Sequence, residues 1–244
     1  MNQSVFTILQ NTQLTASVHE LKLRGDCSAI TAPGQFVQVS VPGKFLRRPF
    51  SVCDCEGEGD VLTLCIQKAG AGTQALCAME PGAQLDLLTG LGNGFDTRSV
   101  TSCPLLIGGG SGVGALYGLA KALVDQGADI TVALGFRTAA DVFYVNQFHD
   151  LGAEVYVYTE DASRGGAGLA TDAVGLPHTE LFACGPLGML EALDAIEDRD
   201  AQFSLEARMG CGFGACMGCT IDTVLGAKRV CADGPVFPGK AVIW

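Results

Sequence analysis

The chain has 244 residues, 48% apolar and only 17% charged, with 33 glycines and 11 cysteines. That apolar share excludes a disordered chain, and the length exceeds what one compact core usually takes, so more than one domain is expected. A formal net charge of −11 argues against nucleic acid or an anionic membrane as partner, since both need a basic face.

Residues 1–98 read as β-structure. Val37, Val39 and Val41 alternate with polar residues, and Val61, Leu62, Leu64 and Ile66 follow the same habit. Short strands between Gly, Pro and Asp turns predict a small antiparallel barrel. One short helix is expected from Thr73 to about Met79, with Thr73 as its N-cap and Pro81–Gly82 as its stop. Arg47-Arg48-Pro49-Phe50-Ser51 sets two cations and a hydroxyl on an extended stretch, because the residue before proline avoids the helical region. Gly72 and Thr73 at the helix start form a second candidate anion site. The competing reading is a solvated basic strand end.

Residues 99–200 alternate strand and helix. Strands are expected at 104–108, 130–134, 155–158 and 180–183, and helices at 112–126, 139–150 and 187–197. This order predicts a parallel sheet with helices on both faces. The segment holds 14 acidic and 4 basic side chains, a net of −10 out of the total −11. Between its first strand and helix lies Gly108-Gly109-Gly110-Ser111-Gly112-Val113-Gly114-Ala115. Bare amides at a helix N-terminus suit a pyrophosphate, and Gly110, Gly112 and Ala115 fit G-x-G-x-x-A, a weak pattern unless it follows a strand, as here. The acid of a standard Rossmann domain is missing, since Phe136 and Arg137 follow the second strand. A plain strand-to-helix turn is the alternative. Cys184-Gly185-Pro186 ends a later strand, where ligands of such sheets lie.

Residues 201–244 carry the most specific motif, Cys211-Gly-Phe-Gly-Ala-Cys216-Met-Gly-Cys219, with Cys231 after eleven more residues. C-x4-C-x2-C…C is the spacing of plant-type [2Fe–2S] ligation. Zinc competes, but structural zinc usually takes two close pairs, and here there is one. The other seven cysteines are scattered. The N-terminus has no basic or apolar leader and no stretch reaches roughly 18 uninterrupted apolar residues, so cytoplasmic thiols are expected, not a disulfide frame.

Arg48-Pro-Phe-Ser51, Gly72-Thr73, Leu91-Gly-Asn-Gly-Phe95, Gly108-Gly-Gly-Ser-Gly-Val113, Cys184-Gly-Pro186 and the run ending in Cys231-Ala-Asp-Gly-Pro-Val-Phe237 stand in one chain. Together they resemble the ferredoxin–NADP reductase superfamily. Within it, the chain is similar to the family of iron–sulfur electron-transfer subunits of type B dihydroorotate dehydrogenases. The resemblance covers nearly the whole chain. It implies a β-barrel FAD domain at 1–98, an α/β NAD domain at 99–200 and a [2Fe–2S] segment at 201–244.

The resemblance also implies roles. Arg48 would contact an FAD phosphate, with Pro49 and Phe50 beside it, and Ser51 the flavin ring. Gly72 and Thr73 would hold the FAD pyrophosphate, and Asn93 and Gly94 would lie close to the flavin. Gly109, Gly110, Ser111, Gly112 and Val113 would receive the NAD pyrophosphate, and Cys184, Gly185 and Pro186 would border the nicotinamide. Cys211, Cys216, Cys219 and Cys231 would be the metal ligands. Glu160 and Asp161 repel a 2′-phosphate and accept from a 2′-hydroxyl, which favours NAD over NADP.

The implied activity is an electron relay with no acid–base residue of its own. The implied partner is an FMN-containing dihydroorotate dehydrogenase catalytic subunit, in a heterotetramer of two of each. Alternatives are the flavin and iron–sulfur subunit of a ferredoxin–NADP oxidoreductase or a sulfite reductase, or a non-catalytic zinc or nucleotide-binding module. The three histidines are expected at the surface or in packing roles, and Trp244 at a subunit contact.

Overall fold

A computed structural model describes residues 1–56, 60–98, 100, 102–197 and 200–244. The first half builds β1 (Asn2–Gln13), β2 (Val18–Arg24), β3 (Phe36–Val39), β4 (Arg48–Ser51), β5 (Asp54–Glu56), β6 (Val61–Gln67), α1 (Ala71–Cys77) and β7 (Gln84–Leu91). All strand pairs are antiparallel, in the order β4-β3-β7-β1-β2-β6-β5. The sheet curls until β4 packs against β6. Alternation does the work: β7 buries Leu85, Leu87, Thr89 and Leu91 and turns the residues between them outward. Phe6, Leu21, Leu23, Val37, Val39, Leu62, Leu64 and Leu87 fill the interior. Each such side chain is worth about 1.5–3 kcal/mol when fully buried.

The second half builds β8 (Leu105–Gly109), α2 (Gly112–Asp125), β9 (Thr131–Phe136), α3 (Val145–Asp150), β10 (Glu154–Thr159), β11 (Gly166–Ala167), β12 (Leu181–Cys184) and α4 (Leu187–Ile196). The C-terminal stretch adds β13 (Ala201–Ser204), β14 (Thr220–Ile221), β15 (Lys228–Arg229), α5 (Val230–Asp233) and β16 (Val236–Pro238). The second sheet runs β11-β10-β9-β8-β12-β13-β16, parallel except for β16. Separate apolar clusters cover its two faces. The sheet therefore continues past residue 200, because β13 and β16 extend it from within the cysteine-bearing stretch. Among the described residues, no helix is long and apolar enough to cross a membrane.

Two local expectations change. The helix at residues 139–150 is broken: Ala139–Asp141 is a 3-10 turn, and α3 starts only at Val145. Tyr144, with φ +65°, turns its ring toward the outside of the barrel, where its hydroxyl donates to Glu20 Oε2 at 2.5 Å and receives the Cys53 thiol at 3.3 Å. Thr73 is not an N-cap. α1 starts at Ala71 after Gly70, and the Thr73 hydroxyl reaches back to accept the Ala69 and Gly70 N–H groups.

The two halves are clamped by α2. A Cβ on Gly118 would meet the Cys53 carbonyl at 2.8 Å, and Lys121 donates to the buried Asp54 carboxylate at 2.6 Å. The C-terminus is latched separately. Asp194 of α4 accepts the Lys240 N–H at 2.6 Å and the Trp244 indole N–H at 3.0 Å. Trp244 therefore packs edge-on against Phe203 of its own chain. Asp194→Ala is expected to cost about 1.5–3 kcal/mol, since hydrogen bonds to a charged, buried acceptor are lost. A lower melting temperature together with altered emission of Trp244, the single tryptophan, would show it.

Candidate functional site

Two loops meet at the carboxyl ends of the adjacent parallel strands β8 and β12. The Gly109–Val113 loop turns at Gly110, whose N–H donates to the Gly135 carbonyl at 2.9 Å. Gly112 lies so close to the second loop that a Cβ there would stand 2.3 Å from the Cys184 carbonyl oxygen. Gly109 faces Pro186, and Gly185 faces Gly109 in turn. Both expected nucleotide loops thus form one seam, with α2 opening from it. Cys184 is 1% exposed, and burial pushes its thiol up to about 12, with Glu206 adding to the effect.

Glu160 and Asp161 follow β10 at the same sheet edge, held by bonds from their N–H groups to the Phe136 and Arg137 carbonyls. Asp161 turns into its own loop. It accepts the Ser163 hydroxyl at 2.6 Å and the Ser163 N–H at 3.0 Å, which hold its carboxyl below the ordinary range. Glu160 faces solvent.

A cleft of about 250 Å³ runs between the two halves. One wall is Pro49, Phe50, Ser51 and Thr73, the opposite wall Ser111, Gly112 and Ala115, and the floor Leu205 and Met209, with Glu206 at the mouth. Residues distant in sequence are therefore gathered around one cleft. Arg48 lies across the start of α1, its Nε 2.9 Å from where a Gly72 Cβ would stand. Aromatic and apolar walls with hydroxyls at the rim and a guanidinium at one end suit a flat ring system with a phosphate tail. Glu206 gave no motif in the sequence. It is open to the cleft mouth, yet the walls desolvate its carboxyl and hold it above the ordinary carboxylate range.

Asn93 and Gly94 do not line this cleft. β7 leaves through Gly92 and Gly94, and the turn abuts Gly234–Pro235. The Asn93 amide donates to the Val236 carbonyl at 2.8 Å and accepts the Val236 N–H at 3.2 Å. Asn93 fastens the C-terminal stretch to the barrel. Both residues border a larger hollow of about 520 Å³, but it opens beside Leu181 and Ala201, at the amino ends of β12 and β13. Ligands of parallel sheets take the carboxyl edge. The smaller cleft is therefore the candidate site.

The cysteine loop follows directly from the cleft floor. Cys211 and Cys216 face each other at the surface, the N–H of each 3.4 Å from the sulfur of the other. Cys219 and Cys231, 5% and 2% exposed, form an inner pair, with the Cys231 N–H 3.4 Å from the Cys219 sulfur. Ala215 N–H and Gly214 N–H donate to Cys211 and Cys231 at 3.2 and 3.1 Å. Among the described residues, no three metal-binding side chains converge on one point. Backbone N–H groups aimed at the sulfurs, together with the C-x4-C-x2-C spacing, suit a [2Fe–2S] cluster. Burial opposes ionisation of Cys211, yet the N–H groups around it win and lower its thiol to about 6. Burial and the adjoining Cys219 push Cys231 up to about 12, a conflict that bound metal relieves. Gly212 sits at φ +80°, where an L side chain is strained, and a Cβ there would press on the buried Gln38 side chain, 2.4 Å from Nε2 and 2.7 Å from Cγ. Gly212→Ala is expected to empty the loop of iron while flavin content stays native, read by iron analysis and visible absorption.

Residues 206–243 match the iron–sulfur cluster binding domain of dihydroorotate dehydrogenase B. Over its full length the chain is 40% identical to the dihydroorotate dehydrogenase B (NAD(+)) electron transfer subunit of Geobacillus sp. (strain WCH70), covering 99% of that protein. The subunit of the same description from Bacillus mycoides (strain KBAB4) is 38% identical, each chain covering all of the other. Among solved structures, an NADH-dependent reduced ferredoxin-NADP oxidoreductase involved in flavin-based electron bifurcation superposes with a TM-score of 0.90 at 28% identity, over 99% of this chain and 90% of that one. The cytochrome b5 reductase domain of Ulva prolifera nitrate reductase shares the fold, with a TM-score of 0.65 at 16% identity over 81% of this chain and 95% of that one.

Proposed function

Because the chain belongs to the family of dihydroorotate dehydrogenase B electron-transfer subunits, we propose that it connects NAD(H) to an FMN-containing catalytic subunit that interconverts dihydroorotate and orotate. The net reaction is dihydroorotate plus NAD giving orotate plus NADH. The assembly is a cytoplasmic heterotetramer of two subunits of each kind. Bound here, FAD would supply two-electron exchange with a nicotinamide and one-electron exchange with a [2Fe–2S] cluster, so the cofactors would carry the redox chemistry.

The residues bind and orient. Arg48, Gly72 and Thr73 hold the FAD phosphates, while Pro49, Phe50 and Ser51 form the wall against its ring. Gly109 to Val113 admit the NAD pyrophosphate at the start of α2. Cys184 to Pro186 limit how far the nicotinamide enters, and Glu160 accepts from the adenosine ribose. Asp161 shapes that loop through Ser163. Cys211, Cys216, Cys219 and Cys231 ligate the cluster.

One observation carries this reading. The stretch from Leu205 to Met209 lines the cleft and runs into Cys211, so the flavin cleft and the cysteine loop share a wall. A cluster held by Cys211, Cys216, Cys219 and Cys231 would therefore adjoin the cleft through this stretch of chain. The test is anaerobic reconstitution with the catalytic subunit. Dihydroorotate-dependent formation of NADH is expected, from a preparation with flavin and iron–sulfur absorption. Colourless protein containing zinc would end the proposal. Efficient transfer to ferredoxin without any to orotate would favour the partner type of the bifurcating oxidoreductase.

A further inference from the structure

Gln38 lies on β3 and is fully buried. Its backbone is committed to the ladders with β4 and β7. Its carboxamide is not: neither Nε2 nor Oε1 has a hydrogen-bond partner. Proteins rarely leave a buried amide unsatisfied unless something outside the polypeptide satisfies it. The amide nitrogen faces the cysteine loop. A Cβ on Gly212 would stand 2.4 Å from Nε2, and Gly212 directly follows Cys211. The remaining N–H groups aimed at these sulfurs, from Cys211, Gly214, Ala215, Cys216 and Cys231, belong to the loop's own stretch of backbone.

We propose that the Gln38 carboxamide donates a hydrogen bond to a sulfur of the cluster at the Cys211 side, and so sets the cluster's reduction potential from the flavin barrel. The proposal rests on reading the four cysteines as the cluster ligands. Reduction adds negative charge to the sulfurs, so a donor stabilises the reduced form and raises the potential. Gln38 is a positioning residue. It ties the depth of the loop to β3, whose Phe36 lines the cleft.

The test begins with the native holo-complex, its glutamine side-chain amides labelled with nitrogen-15. Pulsed EPR of the reduced cluster is expected to show a nitrogen-15 coupling. A normal reduced-cluster signal without that coupling overturns the proposal alone. Absence of any reduced-cluster signal overturns the ligand reading beneath it as well. Gln38→Met, which keeps the length but lacks the donor, is expected to lower the cluster midpoint potential and leave that of FAD unmoved. An unchanged cluster potential, or a shift confined to FAD, overturns the proposal. If the variant holds no cluster, the labelled native protein decides.

Discussion

Gly112→Ala is expected to reduce NADH-dependent flavin reduction by about two orders of magnitude or more, with FAD and iron content unchanged. The added methyl would stand 2.3 Å from the Cys184 carbonyl oxygen, 2.5 Å from its carbon and 2.7 Å from the Gly185 nitrogen. All three are backbone atoms, so no side-chain rotation relieves the overlap. Either the start of α2 or the Cys184–Pro186 turn must move, by roughly the 1 Å that costs about 10²-fold when reacting groups are misplaced. The barrel and the cysteine loop lie on other walls and keep their cofactors. Anaerobic stopped-flow reduction, followed at the flavin band against NADH concentration, separates weaker binding from slower transfer. Reduction at the native rate would show that the nicotinamide does not use this seam.

What the sequence reveals and what it hides divides by chain distance. The glycine loop, the Arg48–Ser51 stretch and the cysteine run are local, because one turn or one cofactor dictates neighbouring residue types. Their assembly into the cleft and the adjoining loop follows from the order of elements. The broken helix at residues 139–150 was not legible. Tyr144 leaves helical geometry for partners at Glu20 and Cys53, over ninety residues away, and nothing nearby signals them. Glu206 looks like any acidic residue until the cleft walls desolvate it. Asn93 carries a family-like turn, yet its amide pairs with Val236, 143 positions on. Trp244 and His178 follow the same pattern. Trp244 meets Asp194, and His178 is buried against Glu197 at 2.6 Å. β13, Ala-Gln-Phe-Ser, and β16, Val-Phe-Pro, are too short to signal strands by themselves and become strands because the sheet is there to receive them.

Cys219→Ser is expected to abolish electron delivery to the catalytic subunit while flavin reduction by NADH stays near the native rate. Cys219 is 5% exposed and receives the Cys231 N–H, so it belongs to the inner pair. A serine hydroxyl there is a poor substitute for a thiolate, because it ionises far less readily and binds iron as a harder ligand. Loss of an outer hydrogen-bond partner of a metal site typically costs about 10–100-fold in affinity or activity. Loss of the ligand itself should exceed that. The NADH half-reaction depends on the seam at Gly112 and on the cleft walls, none of which includes Cys219. Two assays on one preparation therefore read separate walls of the molecule. If both survive, the cluster is not the exit from the cleft. If both fail with FAD still bound, the Leu205–Cys211 stretch transmits the damage, and the cleft floor depends on a filled cysteine loop.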